Sequence, residues 1–177
     1  MADPSSLDFL RIPAGTLIAL DWRPYHFAIQ PYHYVVRMIH ILSMATFFGG
    51  IAALDVRLMG WWSTVSLRTF ADHMIPWLYF TFSVATVTGF ALFFFDPVHV
   101  GSHAYFTLKL VLIALGVVNA VLFRRSGYLV ALEADTKASM HPTSYAQLIG
   151  AVSLVLWTGV IVCSCLNVEG VPKVFLR

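Results

Sequence analysis

The sequence predicts an all-α integral membrane protein: a four-transmembrane antiparallel helix bundle with an N-terminal interfacial segment. Three observations predict it. Of 177 residues, 59% are hydrophobic and only 11% are charged, and the mean hydropathy is +0.77, whereas a soluble domain carries about 25% charged residues. The few charges are segregated, which leaves four apolar stretches close in length to the roughly 20 residues that cross a bilayer's hydrocarbon. Short connections then make successive helices run antiparallel. A net charge of +2 is too mild to point to nucleic acid, so the expected partner is the lipid bilayer.

Residues 1–32 form the interfacial segment. LDFLRIPAGTLIALDW, from Leu7, is interrupted by Arg11, Pro13 and Gly15. The opening residues lack the basic start and continuous apolar core of a signal peptide, so the segment is expected to lie along the membrane. Trp22, Tyr25, Phe27, Tyr32 and Tyr34 follow as an aromatic belt at headgroup depth.

The bundle occupies 33–168, with a tail at 169–177. Its first span is expected at 34–59, ahead of a polar turn containing Ser63, Arg68 and Asp72. The second is expected at 74–95 and ends at the turn DPVHVGSH, 96–103. The third covers 104–123. The polar connection 124–144 has room for a short amphipathic helix between Gly127 and Pro142, and the fourth span covers 145–166. Gly49, Gly50, Gly89, Gly116, Gly150 and Gly159 are candidates for close helix contacts.

Four spans put both termini and the 96–103 loop on one side, here side A, and the other two loops on side B. Side B loops hold Arg57, Arg68, Arg124, Arg125 and Lys137, while the side A loop has no Lys or Arg. Positive charge marks the cytoplasmic side, so a bacterial inner membrane with periplasmic termini is the expected setting.

Polar residues inside the spans point to function. Side A receives His26, His33, His40, His99 and His103, and side B only His73 and His141. On the first span His33, Arg37, His40, Met44, Phe48 and Ile51 share a face. On the third, Lys109 lies about 8 Å inside the helix start at 1.5 Å per residue. A lysine at that depth normally faces the bundle interior and needs an anionic partner, and neither Asp55 nor Asp96 is well placed to supply one. A haem answers the whole set: imidazole for the iron, Arg37 and Lys109 for the propionates, aromatic and small residues for the porphyrin faces.

His40 is the expected axial ligand, with His103 opposite. A second haem on side B would need both His73 and His141. Each residue also has a plainer role. His40 can pack against a neighbouring helix, His26 and His33 suit a wet interface, Arg37 can anchor at headgroups, and His73 and His141 can start helices. Cys163, Cys165 and Met44 read as core residues, and the spacing of the cysteines on a helix disfavours a mutual disulfide. Without a CxxCH motif, covalent c-type haem is not expected.

HILSMATFFGG (40–50), the following Asp55-Val56-Arg57-Leu58, FTLKLVLIALGVVNAVLFRR (106–125) and the run from Gly89 to Pro97 resemble a group of small bacterial four-helix membrane proteins of uncharacterised function. More distantly, the chain is similar to haem-binding four-helix protoporphyrinogen oxidases and to copper-resistance membrane domains. In those oxidases a first-span His and a third-span Lys matter for haem binding and activity, and His40 and Lys109 match those positions. The resemblance thus implies haem b, with one site expected.

The expected function is that of a membrane b-type haem protein in electron transfer, with quinone or a larger respiratory or dehydrogenase complex as partner and no catalytic residues of its own. Self-association is a further expectation. The alternatives are copper handling by His26, His33, His99 and His103, a structural subunit without cofactor, and an oxidase acting on a porphyrinogen.

Overall fold

The structure is a computed structural model that describes residues 10–61, 66–126 and 144–169. The proposed amphipathic helix after Gly127, His141 and the C-terminal tail fall outside these residues.

Among the described residues everything is helix or turn. Pro13 leads into α1 (Ala14–Leu20), whose seven residues reach only about 10 Å. It packs on α5 (Pro97–Gly101). There Leu17 is 1% exposed and sits where a Cβ on Gly101 would come within 2.5 Å of its Cδ2, so a larger residue would force the Leu17 side chain to move. Next comes α2 (Arg23–Ile29), which packs on α4 (Leu67–Phe95) and is fastened by the Tyr25 hydroxyl donating to the Ala91 carbonyl at 3.1 Å. The N-terminal segment therefore folds over the side A end of the bundle. A 3₁₀ turn, Gln30–Tyr32, joins α2 to α3 (His33–Leu58).

Four helices are long and apolar enough to cross a membrane: α3 together with its lead-in, α4, α6 (Ala104–Ser126) and α7 (Ser144–Glu169). Two expectations need correction. Helix α4 starts at Leu67 rather than 74, because Ser66 caps it, its Oγ accepting from Thr69 N–H at 3.2 Å. Pro76 consequently lies well inside the helix, at its tenth position, where its missing N–H leaves the Asp72 carbonyl without an intrahelical donor. The 96–103 segment is not a plain turn either. Asp96 caps the one-turn α5 by accepting from His99 N–H at 3.1 Å, with Pro97 in its first turn.

Helix α3 lies between α4 and α7, and α6 packs on the far side of α7, whereas α4 and α6 touch only sparsely. Their contacts run antiparallel. Along α3 and α4, His40 meets Thr88, Phe47 meets Phe82 and Gly50 meets Leu78. Along α6 and α7, Leu112 meets Gly159 and Gly116 meets Trp157. Phe47, Leu78, Trp157 and Val160 fill the middle of the bundle, and Leu58, Leu67 and Ala146 close its side B end. The outward residues are apolar too: Ile41, Leu42, Val87, Phe90, Val111, Leu115 and Val155 are all exposed. In water such a surface would aggregate; lipid matches it.

Candidate functional site

His40 lies seven residues into α3, about 10 Å below its side A end. Its half-buried ring rests on α4, where a Cβ at Gly89 would be 3.1 Å from His40 Cε1. His40 Nδ1 is 3.0 Å from Thr88 Oγ1, and the Thr88 hydroxyl in turn donates to the Val84 carbonyl at 2.6 Å. A hydroxyl has one hydrogen. With that hydrogen committed to Val84, Thr88 accepts from His40 Nδ1–H, and the ring's lone pair is on Nε2. Metal-binding histidines are typically oriented in this way, by a bond through the other ring nitrogen.

Lys109 lies five residues into α6, about 8 Å below its start. Its Nζ is 5.3 Å from the centroid of Phe106, which stacks on Phe93 of α4 at 5.2 Å. Among the described residues no carboxylate pairs with it. His40 and Cys163 of α7 are its titratable neighbours. Cys163 is buried and Cys165 exposed, and both are free.

These residues form one layer. His40, Thr88, Lys109 and Cys163 come from the four long helices at about the same depth, 8–10 Å below the side A ends. The Phe93–Phe106 stack borders the layer toward side A. Phe47, Phe82 and Trp157, with centroids 4.7–6.0 Å apart, border it toward the centre. Between α4 and α6 the side chains meet at the Phe93–Phe106 stack and, toward side B, at Tyr79 and Arg124.

The other sequence-predicted residues are elsewhere. Arg37 is exposed and borders an outward groove with Tyr34, Met38, Ile41 and Leu42. The buried face of α3 is centred on His40, Ser43 and Phe47, which leaves Arg37 at its edge. His103 immediately precedes α6, about 9 Å above the level of Lys109, and meets His99 edge to face at 5.6 Å. The structure does not bring it to the layer of His40. His26 and His33 both stack on Phe95, and His26 Nδ1–H donates to the Phe95 carbonyl at 2.9 Å. His73, expected at a helix start, is exposed inside α4 and donates to the Thr69 carbonyl at 2.8 Å. Among the described residues no three His, Cys, Asp or Glu side chains converge as a metal cluster would require. Sequence reasoning missed Thr88 and treated Cys163 as mere core. Neither is signalled by any motif; only the antiparallel register of α4 and α7 brings them to this depth.

Comparison of the chain with family models, with curated proteins and with solved structures finds no match.

Proposed function

We propose that the chain is a membrane-embedded b-type haem protein acting in electron transfer, with one haem held in the side A half of the bundle. A single observation carries this reading: His40, fixed through Nδ1 by Thr88 and with Nε2 left as a base, shares a layer with Lys109, a cation without a carboxylate partner among the described residues. Neutral imidazole suits iron, and an ammonium group in an apolar layer suits a propionate. The residues present therefore fit the group. The haem iron would alternate between ferric and ferrous and so carry one electron.

His40 would hold the iron and Lys109 a propionate. The Phe93–Phe106 stack, joining α4 to α6, would shield the group from water on side A. Arg37, facing outward, fits headgroup anchoring better than a second propionate. His103 would have to descend by about a turn and a half of helix to oppose His40. On side B, Arg68, Arg124 and Arg125 outnumber the cations of the side A loop, which favours cytoplasmic placement of side B in a bacterial inner membrane.

A quinone has a plausible seat on the outer face of α4. A groove of about 440 Å³ there is lined by Leu20, Trp22, Tyr25, Phe90 and Phe94 and lies behind Gly89 and His40. Copper handling has weaker support, since His26 and His33 are engaged with Phe95 and only His99 and His103 remain paired.

The test is the dithionite-reduced minus oxidised spectrum of protein purified from haem-replete cells, with a pyridine haemochrome count. Wild type is expected to show a reduced band near the b-type position and about one haem per chain; His40→Ala loses it, and His103→Ala keeps it. A colourless wild type ends the haem reading.

A further inference from the structure

The strongest unexplained feature lies in the other half of the bundle. Asp55, one turn inside the side B end of α3, is only 2% exposed. It faces α7, where Ser153, 5% exposed, donates a hydrogen bond to its carboxyl. Its other oxygen, Oδ2, is buried and has no hydrogen-bond partner. Leu58, Leu67 and Ala146, with Leu54 and Phe123 packed against them, separate the site from side B. Arg57 is also buried, at 3% exposed. Two residues along a helix, however, is about 200° around it, and among the described residues no ion pair reaches Asp55.

A lone carboxylate in such surroundings costs many kcal/mol unless something neutralises it. A metal cation would need about six oxygen ligands. Among the described residues no cluster of His, Cys, Asp or Glu side chains gathers around Asp55 to supply them. A proton needs none.

We propose that Asp55 is a proton-binding site, its Oδ2 carrying a proton that α3 and α7 enclose. The site is separate from the His40 layer, which lies about 22 Å away along α3, and it does not depend on a haem being bound. Opening of the Leu58–Leu67–Ala146 plug would let the proton exchange with side B, so the bundle can take up or release charge there without a metal.

The test is infrared spectroscopy of the full chain in lipid vesicles at neutral pH, with and without carbon-13 aspartate. The expected result is a protonated-carboxyl C=O band that shifts with the isotope and in D₂O and is missing from Asp55→Asn. Asparagine reproduces the shape of the neutral acid, so that variant should fold normally. If it does not, Ser153→Ala serves instead: removing the hydroxyl should move the band. A wild type without the band, a band that persists in Asp55→Asn, or one indifferent to Ser153→Ala overturns the proposal.

Discussion

At the level of single residues, the bond between His40 and Thr88 separates function from packing. Thr88→Val keeps the side-chain volume and removes the hydroxyl that holds His40 Nδ1 at 3.0 Å. Losing one hydrogen-bond partner at such a site costs about 1 kcal/mol. Loss of an orienting partner typically lowers metal affinity about 10- to 100-fold. Thr88→Val is therefore expected to lower Tm by a few degrees and to weaken haem binding by that factor in a titration of the apoprotein. If haem affinity stays at the wild-type level, Thr88 only packs. Lys109 gives the opposite pattern. A half-buried cation that no carboxylate pairs with among the described residues is a costly charge, which apolar replacement relieves. Lys109→Met should leave the apoprotein as stable as wild type or more so, while haem occupancy falls. Occupancy unchanged in Lys109→Met would remove the propionate role.

At the level of helices, the glycines show which contacts carry the fold. Gly150 lies against the α3 backbone, and a Cβ there meets the Asp55 carbonyl oxygen at 2.9 Å, an atom that cannot swing aside. Gly150→Ala should cost about 1–3 kcal/mol through overpacking. Gly49 has nothing within 4 Å of its would-be Cβ, so Gly49→Ala should gain up to about 1 kcal/mol from helix propensity. Opposite shifts in Tm for the two variants check the α3–α7 contact, and equal shifts would refute it. Sequence alone could not separate these glycines, because hydropathy shows that a helix is apolar but not which neighbour it meets. The positions of the long apolar helices α3, α6 and α7 were legible, because their ends are marked by changes from apolar to polar residues. The start of α4 was not, because a proline more often opens a helix than sits in its tenth position, as Pro76 does. His40 and Lys109 were legible as polar residues in apolar runs. Their joining into one layer with Thr88 and Cys163 was not, since it depends on the order α4, α3, α7, α6.

At the level of the whole molecule, the asymmetry between the two ends organises everything else. Side A is capped by the N-terminal segment, with α1 on α5 and α2 on α4, and the His40 layer lies just beneath that cap. Side B is sealed by Leu58, Leu67 and Ala146 above Asp55. Outward faces carrying Ile41, Val87, Val111 and Val155 would meet lipid equally well in either orientation, so the basic residues near the helix ends decide which way the bundle points. Placing side B in the cytoplasm leaves the His40 layer near the opposite water phase, where an extracytoplasmic electron carrier could approach. With Cys163 and Cys165 replaced by alanine, His99→Cys should react with a membrane-impermeant maleimide added to intact cells. Arg68→Cys, exposed near the start of α4, should react only after the membrane is opened. The reverse pattern would turn the bundle over and put the His40 layer on the cytoplasmic side, so that its redox partners would have to be sought there.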